Sequence, residues 1–284
     1  MKLIHITDTH FVAPGQHLYG LDPRARLDAA IEDINVNHSD AQMAVITGDL
    51  THWGEIAAYA NLVECLGALS IPVVPIMGNH DNREVFAEVF SEFPLDPNGF
   101  AQHSLETDAG TFLFLDTTLG GTHEGCYCEY RRAWLSQQLD ATDGPVFLFM
   151  HHPPFDIGIK SMDRIGIIQQ QQFGEVVEPH RHKIRHLFYG HVHRPMNGSW
   201  MGIPFSTIRG TNHQVWLDMK SDGDEIPFTY EEPAYAVVLI GDKTVVVHTH
   251  DYCYDKGVYP SRLTGSEEEQ KAYALGFEPP RNAA

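Results

Sequence analysis

Short apolar runs closed by turn residues alternate with stretches of helical period through the first half of the chain. LIHIT (3–7), MAVITGD (43–49) and PVVPIMG (72–78) read as buried strands, since each is brief, rich in β-branched residues and bounded by polar or glycine positions. Between them, RARLDAAIEDINVN (24–37) and EIAAYANLVECLGAL (55–69) repeat apolar residues at helical spacing, and REVFAEVFSEF (83–93) does so again before the turn PLDPNG. TFLFLDT, PVFLFMH and HLFYGH continue the strands. Strands alternating with helices predict the α/β class.

Several of these runs stop at a polar residue. Asp8 follows LIHIT, Asp49 follows AVITG, Asn79 follows VVPIMG, His151 follows VFLFM and His191 follows LFYG. In open α/β sheets, ligands gather at the carboxyl ends of the strands, so these five endings are expected to converge on one edge. From about residue 196 the texture changes. MNGSWMGIPFSTIRG, the acidic stretch DMKSDGDEIPFTYEE and the alternating pair AYAVVLI and TVVVHTH predict a β-rich cap over 196–255 whose last strands return to the core. The core that carries these endings is then 1–195 and the tail 256–284, with a solvated helix starting near Glu267 to Glu269 and a frayed PPRNAA end.

A chain of 284 residues, 43% of them hydrophobic, can bury a substantial core. No apolar run approaches membrane-spanning length, and LIHIT is interrupted at once by Asp8 and His10, so neither a membrane span nor a signal peptide is expected. Acidic residues number 38 against 19 basic ones, and the formal charge of −19 disfavours polymeric nucleic acid and anionic membrane as partners. Four cysteines fit free thiols in the cytoplasm, with Cys126 and Cys128 close enough for a loop pair or an intermolecular bridge. Eighteen histidines are the compositional oddity.

The polar endings supply Asp8-Thr9-His10, Gly48-Asp49, Gly78-Asn79-His80-Asp81, His151-His152 and Gly190-His191-Val192-His193. Carboxylate and imidazole together suit zinc, iron, manganese or cobalt, whereas an all-oxygen set would suit magnesium or calcium. In extended backbone, residues two apart share a side, so Asp8 and His10, like His191 and His193, are expected to face the metals while Thr9 and Val192 turn away. Glycine before a ligand permits close backbone approach.

In this order DTH, GDL, GNHD, HHPP and GHVH resemble the calcineurin-like metallophosphoesterases over residues 3–195. HFVAPGQHLYG and GTNHQV are similar to the bacterial class III branch, which contains glycerophosphodiesterases and cyclic-nucleotide phosphodiesterases. The resemblance implies a four-layer αββα sandwich holding two divalent metals. Asp8, His10, Asp49 and His193 would hold the first, Asp49, Asn79, His151 and His191 the second, with Asp49 bridging. His80 would orient the phosphate or help the leaving oxygen depart, and Tyr19 and His213 would line the substrate side.

Two dications roughly 3.5 to 4 Å apart acidify a bridging water and clamp an in-line displacement at phosphorus. Two dications, two carboxylates and a hydroxide sum to about +1, which complements the single charge of a phosphodiester. The expected activity is hydrolysis of small phosphodiesters, either glycerophosphodiesters or cyclic nucleotides. The alternatives are a phosphomonoesterase or protein phosphatase of the same fold, and a non-catalytic scaffold whose signature would be lost ligands.

Simpler roles are expected for the other polar residues. His152 begins the HPP turn or supports the cluster, His5 belongs to a buried strand, and His180, His182 and His186 form a solvated helix face. Arg209 is expected to pair with the acidic stretch or to meet phosphate. The exposed aromatic and acidic character of the cap makes a homodimer or larger symmetric assembly the expected state.

Overall fold

The local signals build the elements in the predicted order. A computed structural model of the protein describes residues 1–254, 259, 261 and 264–277. Strand β1 (Lys2–Ile6) leads through a loop to α1 (Pro23–Asn37), which Asp22 starts by accepting from the backbone N–H groups of Arg24 and Ala25 at 3.0 and 3.2 Å. Pro23, which needs no N–H partner, sits in the first turn. β2 (Met43–Thr47), α2 (Ile56–Leu66), β3 (Val73–Ile76) and α3 (Arg83–Val89) follow.

β1, β2 and β3 are parallel neighbours, and β12 (Tyr235–Ile240) and β13 (Val245–His250) add antiparallel strands beside β1. The second sheet has six strands in the order β4 (His103–Thr107), β5 (Gly110–Phe114), β6 (Val146–Phe149), β7 (Ile184–Phe188), β9 (Ile203–Thr207) and β8 (Met196–Trp200), with β5, β6, β7 and β9 parallel. The sequence pattern did not single out β4, nor the helices α4 (Glu129–Ala141) and α6 (Gln170–Val177) that cover this sheet with the short α5 (Lys160–Asp163). α4 alternates charged and apolar residues without a clean stripe, so periodicity is a weak guide there.

Three apolar clusters define four layers, and the fold is an αββα sandwich. Ile4, Ile6, Leu27, Ile31, Ile46 and Leu62 pack the first helical layer onto the first sheet. Leu113, Leu135, Leu148, Phe173 and Leu187 do the same on the other side. Between the sheets, Leu3, Val45 and Val238 meet Phe112, Phe147 and a stacked row of Phe114, Phe149 and Phe188, with ring centroids 5.1 and 4.9 Å apart. Burial of this aromatic layer is the main adhesive between the sheets.

The stretch 196–250 is distributed over the sandwich: β8 and β9 extend one sheet, β12 and β13 the other. Among the described residues, only the short strand pair β10 (Gln214–Val215) and β11 (Phe228–Thr229) stands outside both sheets. Met1–Tyr252 is one compact unit and Cys253–Ala284 a second. In the latter, α7 (Glu267–Gly276) begins where expected, with Ser266 and Glu269 capping each other reciprocally. The PPRNAA tail lies outside the described residues. No described helix is long and apolar enough to cross a membrane.

His186 corrects the expectation of a solvated helix face. It lies on β7, buried in the inter-sheet layer, because the strand read from HLFYGH reaches back to Ile184 and takes in the end of the basic interval. Its Nε2 meets the Ser206 hydroxyl at 2.8 Å, and His5 from the facing sheet meets the Thr47 hydroxyl at 2.8 Å. Burial pushes His5 down to about 3 and His186 down to about 4. Both are therefore neutral when folded and bind a proton near pH 6.5 only when unfolded. Their contribution is fully present above that value and is lost as pH falls through it toward the folded values. Replacing His186 with leucine should flatten the fall in urea-measured stability between pH 6.5 and 4.5 by about 1.4 kcal/mol per pH unit; an unchanged slope would show that His186 does not control it.

Candidate metal centre

All five predicted strand endings meet at one edge of the sandwich, drawn from both sheets. The loop after β1 is zipped to the loop after β2 by backbone bonds from Asp8 to Gly48, His10 to Asp49 and Phe11 to Leu50 (3.1, 2.8 and 3.0 Å), and Gly190 N–H reaches His151 O at 3.1 Å. The expected extended backbone is not what aims the ligands. Asp8, His10, Asp49, His191 and His193 all adopt left-handed conformations, with φ between 45° and 68°. Such residues are strained by about 1 kcal/mol or more each, and clusters of them mark functional sites. The intervening Thr9 and Val192 do turn away, Thr9 to the Leu50 carbonyl and Val192 into the apolar core.

Glycine is required where the loops cross. A side chain on Gly78 would run into the Asp49 carboxylate and the His151 ring. Gly48 combines φ +94° with the same closeness to His151.

The donors form two facing sets with Asp49 between them. On one side the Nε2 atoms of His10 and His193 face each other at 3.0 Å, with Asp8 Oδ1 3.3 Å from His193 and Asp49 Oδ2 3.5 Å from His10. On the other, His151 Nε2 lies 3.3 Å from Asp49 Oδ1 and 3.0 Å from Asn79 Oδ1. His191 completes this side, its ring 5.1 Å from that of His151 and its buried Nε2 without a protein partner.

The far nitrogens settle which atoms are free to bind. His193 Nδ1 donates to the His213 carbonyl and His151 Nδ1 to that of Thr47, both at 2.8 Å, which leaves each Nε2 bare and turned inward. Converging lone pairs with a buried orphan nitrogen among them are what a cation would satisfy.

The electrostatics agree. Burial opposes ionisation of Asp49, yet the imidazoles of His151, His80 and His10 hold its carboxyl well below the usual range. Burial likewise pushes His10, His191 and His152 well below ordinary imidazole values. His151, despite equal burial, is pushed up to about 9 by Asp49 and Asp8, and Asp8 raises His193. Positive charge is thus favoured at one place in each donor set.

Neighbouring residues hold the frame. Asp81 accepts from Leu50 N, Thr51 N, Gly78 N and the Tyr59 hydroxyl at 2.8–3.0 Å, tying the β2 and β3 loops together. A sixth strand ending, Asp116 after β5, is buried against Arg83 and Arg131 and is spent on that bracket. His152 also serves structure: Nδ1 meets the Thr117 hydroxyl at 2.7 Å and Nε2 the His123 carbonyl at 3.2 Å. Arg209 pairs with Asp251 rather than with the acidic stretch, whose Asp222 and Asp224 instead reach Lys160 and Arg164.

The donors open into a cleft of about 200 Å³ lined by His80 and, higher up, by Tyr19, His213, Ile226 and Phe228. Tyr19 stands 4.7 Å from the rings of both His213 and Phe228, and the Tyr230 hydroxyl donates to its carbonyl at 3.0 Å. The β10–β11 pair is thereby fastened over the β1 loop. His52 and His123, unassigned in the sequence, also line the cleft. His52 had a signal in its place directly after GDLT, but His123 lies in a glycine-rich loop with none.

Comparison with known proteins agrees with this architecture. The profile of the calcineurin-like phosphoesterases matches residues 1–195. A Rhodopseudomonas palustris protein named as a probable cyclic nucleotide phosphodiesterase is 45% identical over 90% of this chain and 94% of its own length. The glycerophosphodiester phosphodiesterase GpdQ of Enterobacter lignolyticus is 32% identical over 76% of this chain and 79% of its own. A purple acid phosphatase from yellow lupin shares the fold, with a TM-score of 0.64 at 12% identity, covering 91% of this chain and 52% of the plant chain. The chain belongs to the calcineurin-like phosphoesterase family, a family of metal-dependent hydrolases.

Proposed function

We propose that this protein is a dinuclear phosphodiesterase whose preferred substrates are cyclic nucleotides, with glycerophosphodiesters as the related class. The observation that carries the reading is the pair of donor sets sharing Asp49 at the floor of the cleft. Asp8, His10, Asp49 and His193 would hold one ion, and Asp49, Asn79, His151 and His191 the other. Iron, manganese, zinc and cobalt all match these donors. Bound there, the pair would supply a nucleophile at neutral pH and stabilise charge on the phosphoryl oxygens.

The protein's own groups do the rest. His80, whose Nδ1 donates to the His52 carbonyl at 2.8 Å, would present Nε2 to the phosphate or to the departing oxygen. Tyr19 and His213 would flank the substrate. No Lys or Arg lines the cleft among the described residues, which favours a monoanionic diester over a dianionic monoester. The rings of Tyr19 and Phe228 offer a nucleobase stacking partners, and the named activity of the 45%-identical relative supports the same choice.

The reading extends to a homodimer or larger assembly, supported by Trp216, Leu217, Met219 and Tyr230, all exposed on the segment around β10 and β11. It also assigns the protein to the cytoplasm, in keeping with the free thiols of Cys65, Cys126 and Cys128.

The test is a panel of 3′,5′- and 2′,3′-cyclic AMP, glycerophosphoethanolamine, bis(p-nitrophenyl) phosphate and p-nitrophenyl phosphate, with manganese- or cobalt-loaded enzyme. A cyclic nucleotide is expected to give the highest kcat/KM among natural compounds, and diesters to exceed the monoester. Monoester preference would overturn the substrate class, and inactivity throughout would leave a scaffold.

A further inference from the structure

Two imidazoles that bind neither ion in the reading above sit directly behind its ligands. For His10 to offer Nε2 to an ion, its hydrogen must reside on Nδ1, and that nitrogen lies 3.0 Å from Nδ1 of the buried His52. The His10 N–H donates, so His52 accepts. Most metal-binding imidazoles lean on a carbonyl or carboxylate, as His193 and His151 do here. His10 leans instead on a second imidazole, which is itself stacked on His80 with ring centroids 4.5 Å apart and 18° between planes.

Asn79 raises a related problem. A carboxamide coordinates only through oxygen, and a half-turn of the amide would put its NH₂ group against the ion. Asn79 Oδ1 faces His151, while Nδ2 lies 2.9 Å from His123 Nδ1, a nitrogen that can accept. The carbonyl of His123 receives the Nε2 hydrogen of His152 at 3.2 Å. Two residues on, Gly125 is pinned through backbone bonds with Gly166 and Ile168 at 3.0 and 2.9 Å. The loop thus holds the acceptor at the amide that needs it.

We propose that His52 and His123 are positioning residues, one for each half of the centre: His52 fixes the tautomer of His10, and His123 fixes Asn79 with its oxygen toward the ion. This rests on the two-ion reading. It predicts that each imidazole controls a different site, although both line one cleft and flank His80.

The experiment is Mn²⁺ binding to full-length protein, measured by equilibrium dialysis and chelator competition. His52→Ala and His123→Ala should each weaken one of two sites by about 10- to 100-fold. In a His10→Ala background, His52→Ala should add nothing while His123→Ala still weakens the remaining site; in an Asn79→Ala background the pattern should reverse. His52→Gln and His123→Gln, which retain an acceptor, should recover affinity. Two tight sites in the wild type that neither alanine variant alters would overturn the proposal, as would equal losses in the alanine and glutamine variants. If the wild type binds fewer than two ions, or His10→Ala and Asn79→Ala leave binding unchanged, the two-ion reading itself fails.

Discussion

Replacing Asp49 with alanine is expected to remove tight binding at both ion sites and to lower kcat/KM for a cyclic nucleotide by at least about 10³-fold, the order of loss when the main electrostatic element of a centre is deleted. The reason is geometric. Each carboxylate oxygen of Asp49 faces a different imidazole, Oδ2 toward His10 at 3.5 Å and Oδ1 toward His151 at 3.3 Å. Among the described residues, Asp49 is the carboxylate whose two oxygens face imidazoles of both donor sets. Asp49→Asn should fall between wild type and alanine, since it keeps one oxygen donor and loses the negative charge. The check is metal content and turnover on the same preparation, with circular dichroism to show that the fold persists. Retention of both ions by the alanine variant would refute the bridging role.

His80→Ala is the second large expectation, and its size should depend on the substrate. The His80 backbone N–H is held by Asp49 Oδ1 at 2.9 Å and its Nδ1 by the His52 carbonyl, so the ring has little freedom to point elsewhere. If Nε2 protonates the departing oxygen, the loss should reach about 10²- to 10⁴-fold in kcat for an alkoxide leaving group. A nitrophenolate needs no such help, so bis(p-nitrophenyl) phosphate should be hydrolysed by the variant at close to the wild-type kcat. Equal losses on both substrates would instead assign His80 to phosphate orientation. Metal content should be unchanged in either case.

Much of the site was legible because its chemistry is written locally. Asp8, Asp49, Asn79, His151 and His191 each follow an apolar run, and the strand ends they predict are the ends the structure brings together. Asp116 ends a strand in the same way, yet it is neutralised by Arg83 and Arg131, which are distant in sequence. A strand-end carboxylate therefore does not by itself distinguish a ligand from a bracket. His186 shows the same limit in the core, since a basic interval in sequence contains a buried strand residue.

By itself, then, the sequence determined the α/β alternation, the donor types and their order along the chain, because periodicity and strand endings are properties of neighbouring residues. The tertiary structure alone decided that the ligands leave their strands in left-handed conformations rather than extended ones. It also decided that β8 and β9 join the six-stranded sheet rather than a separate cap, and that His52 and His123 stand behind His10 and Asn79. These features depend on contacts such as that between His10 and His193, 183 positions apart, whose geometry is set by the packing of two sheets and by no pattern within either segment.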